Sequence, residues 1–170
     1  MKFRLAIGIV VVWVAAANAA HAQQTPLAMA EARIGQGVAL GGGSGESTWR
    51  LSPTSVSAIA SLLIEQEPQV SVMGGLFFEG RSRAAIGATI GFRLHPRNSN
   101  NRVSVAALAV GLPFSAYGVS AGFGRCRGVL GGMGFCMDLE ATVFGLGSDI
   151  PEGRIATQIQ AVLGIAVDVL

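Results

Sequence analysis

Hydrophobic and polar residues alternate along most of this chain. In residues 154–170, Ile155, Thr157, Ile159, Ala161, Leu163, Ile165, Val167 and Val169 form one set of alternate positions. Arg154, Ala156, Gln158, Gln160, Val162, Gly164, Ala166 and Asp168 form the other. The first set is almost wholly aliphatic; the second is small or polar. A period of two is the signature of a strand with two unlike faces.

The same period recurs upstream. In 133–147, Phe135, Met137, Leu139, Ala141 and Val143 oppose Gly134, Cys136, Asp138, Glu140 and Thr142. In 82–95, Ala84, Ile86, Ala88, Ile90, Phe92 and Leu94 oppose Arg83, Gly87, Thr89, Gly91, Arg93 and His95. Residues 69–80 set Val70, Val72, Leu76 and Phe78 against Gln69, Ser71, Met73, Gly75, Phe77 and Glu79. Residues 115–126 set Tyr117, Val119, Ala121 and Phe123 against Gly118, Ser120, Gly122, Gly124 and Cys126. Two further stretches alternate more weakly: 31–40, with Ile34, Val38 and Leu40 against Arg33, Gly35 and Gly37, and 102–112, with Val103 and Val105 against Arg102 and Ser104.

Residues 54–65 admit two readings. As a strand, Val56, Ala58, Ala60, Leu62 and Ile64 share a face. As a helix, Ser52 would be the N-cap and Pro53 the first residue. The strand neighbours favour the strand. Between these segments lie Gly-, Pro-, Asn- and Ser-rich turn signals, so the pattern predicts eight strands joined in sequence by seven connections. Eight antiparallel strands can close into a small up-and-down barrel.

Two registers follow from the turns. Pairing about Gly80-Arg81-Ser82 would set Glu79 opposite Arg83 and Phe78 opposite Ala84. Pairing about residue 131 sets Cys126 opposite Cys136, Val119 opposite Val143 and Phe123 opposite Leu139.

The first residues are expected to stand outside this domain. Lys2 and Arg4 precede the apolar run of residues 5–20, and Ala20-His21-Ala22 gives a small-x-small cleavage pattern. Residues 1–22 therefore read as a cleaved secretory signal, and residues 23–170 as one barrel domain. Without Lys2 and Arg4 the chain carries ten basic and ten acidic residues. That balance gives no case for a nucleic-acid partner. All ten remaining basic residues are Arg, whose planar fork suits fixed ion pairs in confined places.

Alternation does not say which face meets water. A soluble barrel would bury the aliphatic set around an apolar ligand and expose the other. A membrane barrel does the reverse. Composition decides between them. Charged residues are 13% of the chain, against about 25% in ordinary soluble domains. The non-aliphatic face is mostly Gly, Ala, Ser and Thr, which suits a narrow interior better than a wet exterior. Its sparse charges balance. Glu79, Asp138, Glu140 and Asp168 could meet Arg83, Arg93, Arg102 and Arg154, and buried charges of this kind are tolerable only when paired. The sequence thus predicts an all-β, eight-stranded antiparallel transmembrane barrel whose lumen holds that charge network.

At this point the chain resembles the small eight-stranded outer-membrane barrels of Gram-negative bacteria, the OmpA or OmpX kind, over about residues 29–170. The resemblance rests on period and strand count. It implies an outer-membrane location, contact with outer-membrane lipid and both termini in the periplasm. Connections 41–53, 80–82, 112–115 and 147–153 would then face outward, where a small ligand or a protein partner would attach. Aromatic residues are only 6%, and the chain ends Asp168-Val169-Leu170 rather than in the family's usual aromatic.

Candidate chemistry is sparse. Cys126 and Cys136 fall on one face and opposite each other, which in an oxidising compartment reads as a disulfide. His95, the single histidine after the leader, has no second His beside it to hold a metal, and no G-x-S-x-G elbow accompanies it. Asp138 and Glu140 share a face two residues apart and could do acid–base work; salt-bridged interior residues are the expected role. "GVALGGGSGEST" lacks the Lys of a phosphate loop. The sequence therefore points to a barrel that is not an enzyme and needs no cofactor or metal. A secreted soluble barrel that binds an apolar ligand is the alternative.

Overall fold

The computed structural model describes residues 27–41, 49–66, 69–80, 84–96, 99–148 and 155–169. The leader read in residues 1–22, together with Arg83 and Arg154, lies outside the described residues. Among those described, nine strands follow one another: β1 Ala28–Gly41, β2 Arg50–Leu51, β3 Thr54–Gln66, β4 Gln69–Gly80, β5 Ala85–His95, β6 Asn101–Leu112, β7 Ala116–Leu130, β8 Met133–Gly147 and β9 Ala156–Asp168. Residues 54–65 are strand, as their neighbours suggested.

β1 pairs antiparallel with both β2 and β3, each strand from β3 onward pairs antiparallel with the next, and β1 also pairs with β9 from Met29↔Asp168 to Gly41↔Ala156. That last pairing closes the sheet on itself, so no row of backbone donors and acceptors is left at an edge. The two-residue β2 extends the stave of β3. It pairs with β1 at Val38↔Leu51 and Ala39↔Arg50, beyond the β1–β3 ladder that ends at Gly35↔Ser55. The ring therefore has eight staves.

The break between β2 and β3 falls at Ser52-Pro53, where proline cannot donate to a ladder. Side chains take over there. Gln36 Nε2 donates to the Ser52 carbonyl at 2.7 Å, and Thr54 Oγ1 donates to Gln36 Oε1. From the inside, Gln160 Nε2 donates to Ser52 Oγ at 3.0 Å and to the Pro53 carbonyl at 2.9 Å.

The face assignment is unambiguous. Burial alternates along β9, where Gln158, Gln160, Val162, Gly164 and Ala166 point in and Ile159, Leu163, Ile165 and Val167 point out. Around the ring, Ile34, Leu76, Ile86, Ile90, Phe92, Val105, Val119, Phe123 and Leu139 all project outward and are exposed. The interior takes the small and polar set.

One predicted register needs correction. Glu79 pairs with Ala85 and Phe78 with Ile86, not with Arg83 and Ala84. The β4–β5 connection is two residues longer than the three-residue turn read from Gly80-Arg81-Ser82. Because strand faces repeat every two residues, the slip leaves every side chain on its predicted face. At the other end, the β7–β8 hairpin has the register centred on residue 131, with Cys126↔Cys136, Val119↔Val143 and Phe123↔Leu139.

Candidate functional site: the barrel interior

Among the described residues, six charged side chains meet in the lower half of the lumen, toward the end that carries the 131–132 turn. They are Glu31 and Arg33 of β1, Arg93 of β5, Arg102 of β6, and Asp138 and Glu140 of β8. Each sits on an inward alternate position of its strand, which is why strands far apart in the ring can reach one another. Arg102 donates to Glu31 twice, Nη1 to Oε2 at 3.0 Å and Nη2 to Oε1 at 2.6 Å. It also donates from Nε to Asp138 Oδ1 at 2.7 Å and from Nη2 to Asp138 Oδ2. Arg93 Nη2 lies 3.0 Å from Glu31 Oε2. Arg33 Nη2 donates to Glu140 Oε2 at 2.6 Å, with Asp138 Oδ2 at 3.6 Å and Glu31 Oε1 at 3.6 Å from Arg33 Nε.

Among the described residues three guanidiniums thus face three carboxylates, and their formal charges cancel. Glu31, Arg33, Arg93 and Arg102 are all buried. Desolvating any of these charges alone would be prohibitive; in company the Coulomb attraction and charge-assisted hydrogen bonds offset the loss of water. Glu31 is the hub, because all three arginines lie within 3.6 Å of it.

Of the charges expected in the lumen, the structure brings together Arg93, Arg102, Asp138 and Glu140. Glu79 is buried but higher, lining a chamber of mixed polarity above the cluster, where Ser55, Ser120, Thr142 and Gln158 face Met73, Phe77 and Phe144. Asp168 stands exposed at the lower mouth, where its backbone N–H donates to the Gly132 carbonyl at 2.8 Å. Glu31 and Arg33 were absent from the expected set. Their signal was present: both occupy alternate positions of β1, on the face that also carries Gly35.

Toward the top of the chamber the lumen turns apolar. Phe77, Ala85, Val110, Ala116 and Phe144 pack together near the end that carries the 81–84 and 113–115 connections, with Leu108, Phe114 and Ala156 against them. Aromatic rings fill the top and ion pairs fill the bottom. His95 lies half-buried with Nδ1 unbonded, and both Asp138 and Glu140 are engaged by arginine. Among the described residues no group of three His, Cys, Asp or Glu side chains could hold a metal ion.

Cys126 and Cys136 form a disulfide across the β7–β8 hairpin, with Cα atoms 4.1 Å apart. Cys136 is wholly buried. The bond lies below the charge cluster and ties the two strands where they run past the start of β6.

No family model matches the chain, and no curated protein matches it. Among solved structures, the crystal structure of Neisserial surface protein A superposes with a TM-score of 0.50, at 14% sequence identity, over 84% of this chain and 97% of that one. At such identity the likeness concerns the fold. The chain is a closed, eight-stranded, antiparallel up-and-down barrel, similar in architecture to that surface protein.

Proposed function

We propose that this chain is an integral outer-membrane barrel of structural or interaction type rather than an enzyme. The outward aliphatic belt carries this reading. Ile90 is 65% exposed, Leu76 64% and Phe92 59%, each in mid-strand on the outer wall. A continuous belt of this kind around a soluble monomer would aggregate; in a bilayer it is the solvated surface. The soluble alternative, with the aliphatic set around an apolar ligand, would need those same residues to point inward.

The lumen supports a filled interior. Ion pairs, small residues and an aromatic layer occupy the space that eight staves enclose, so the barrel presents surfaces rather than a wide pore. Interaction then falls to the connections at the rim. The leader read in residues 1–22 supports export, and the likeness to Neisserial surface protein A is in keeping with a surface role.

The experiment is to express the chain with its leader in a Gram-negative host, isolate outer membranes and run the fraction on SDS gels with and without boiling. The reading predicts outer-membrane recovery and a mobility shift on heating. Recovery as a soluble periplasmic protein would refute it.

A further inference from the structure

The outer wall is almost free of charge, and the exceptions are placed unevenly. Among the described strand residues on the outward set, only Glu65, Arg125 and Arg127 are charged. All three sit at the end of the barrel that holds the 131–132 turn. Glu65 belongs to β3, on the stave opposite β7 in the ring. Arg125 and Arg127 are therefore left together, on neighbouring outward positions of one strand and about 7 Å apart along it.

Three observations mark this pair. Both side chains are exposed, and neither makes an ion pair or side-chain hydrogen bond among the described residues. Their cross-strand partners on β8 are apolar: Arg125 lies opposite Met137 and Arg127 opposite Phe135. On the other side β6 stops, with Asn101 opposite Arg125 and the Cys126 N–H donating to the Asn100 carbonyl at 2.9 Å. Between the two arginines, Cys126 bonds to Cys136 on the inner face, so the stave that carries them is cross-linked and held in place.

Height places the pair at an interface. Tyr117 and Arg127 are ten residues apart on β7. At about 3.4 Å per residue and a tilt near 40°, that is roughly 26 Å along the barrel axis, close to the ~25 Å apolar band of such barrels. With Tyr117 at one edge of the band, Arg125 and Arg127 reach the headgroup level at the other.

We propose that Arg125 and Arg127 form a docking site for the phosphate of an anionic phospholipid in the leaflet on the side of the barrel's termini. The proposal rests on the membrane reading above. Two guanidinium forks at this spacing can converge on one phosphodiester, and Arg matches phosphate geometry better than a point charge does. The lipid's acyl chains then lie along Phe123, Met137 and Phe135. The lipid supplies the counter-charge that the protein itself leaves out.

The test is to refold the purified barrel in phosphatidylcholine vesicles that carry a trace of spin-labelled phosphatidylglycerol or spin-labelled phosphatidylcholine. Heat-shifted mobility reports folding, and the motionally restricted fraction reports lipid contact. The wild type should prefer phosphatidylglycerol, by on the order of fivefold for each arginine engaged. High salt and the double variant Arg125→Gln/Arg127→Gln should abolish the preference, while Arg125→Lys/Arg127→Lys should keep part of it. A folded wild type that holds both lipids equally overturns the proposal and leaves the membrane reading standing. A double Gln variant that keeps the preference overturns it too. If no heat-shifted form appears in any vesicle, the membrane reading fails and the site falls with it.

Discussion

Glu31 of β1 and Arg102 of β6 hold each other across the full width of the barrel. Their strands are fourth neighbours in either direction around the ring, yet the two side chains join through a two-pronged fork at 2.6 and 3.0 Å. No sheet ladder connects these strands. The contact is made through the lumen, and it ties opposite walls at one level.

Removing the hub of that contact should be costly. Glu31 faces Arg33, Arg93 and Arg102, so Glu31→Ala leaves three buried guanidiniums with two carboxylates. Breaking a buried pair from one side costs about 3–5 kcal/mol. Urea titration of the folded barrel in vesicles, read by gel mobility, should show a loss of that order. A loss below about 1 kcal/mol would mean that the arginines re-pair without Glu31.

Room inside the wall is equally specific. A Cβ added at Gly124 would run into the Asp138 carboxylate and the Met137 carbonyl, whereas one at Gly111 meets nothing within 4 Å. Gly124→Ala should therefore destabilise by about 1–3 kcal/mol through overpacking, and Gly111→Ala, on the outer wall, should stay within about 0.5 kcal/mol of wild type. Equal effects at the two sites in the same titration would contradict the placement of Gly124 beside the charge cluster.

The disulfide closes a short loop within a hairpin that already pairs on both sides of it. Its loss should cost about 2–3 kcal/mol without preventing closure of the ring. Reductant should lower the urea midpoint of the wild type and leave a Cys126→Ala/Cys136→Ala variant unmoved. That variant should still give the heat-shifted band.

What could be read from the sequence, and what could not, divides along a physical line. A period of two tells which way Ile165 or Gln160 points, because the backbone forces successive side chains to opposite faces. It also gave the Cys126↔Cys136 register, since the Gly-rich turn between them is short. Height was not legible. Whether Asp138 meets Arg102 or Arg154 depends on the stagger of strands around the ring, which no single strand encodes. For that reason Asp168, on an inward position, ends at the mouth, while Glu31 and Arg33 of a weakly patterned strand turn out to sit at the centre. The Gly80-Arg81-Ser82 turn misled by two residues because its composition allows a tighter hairpin than the chain makes.

The central claim is that the aliphatic face meets lipid. Tryptophan quenching tests it most directly. In a chain with Trp13 and Trp49 replaced by Phe, a single tryptophan is placed either on the outer wall by Phe92→Trp or in the lumen by Phe77→Trp, positions that are 59% and 7% exposed. Each protein is folded into vesicles whose acyl chains carry bromine. The account predicts strong quenching at position 92 and little at position 77. Quenching at 77 but not at 92, or at neither, would put the aliphatic face somewhere other than in the bilayer.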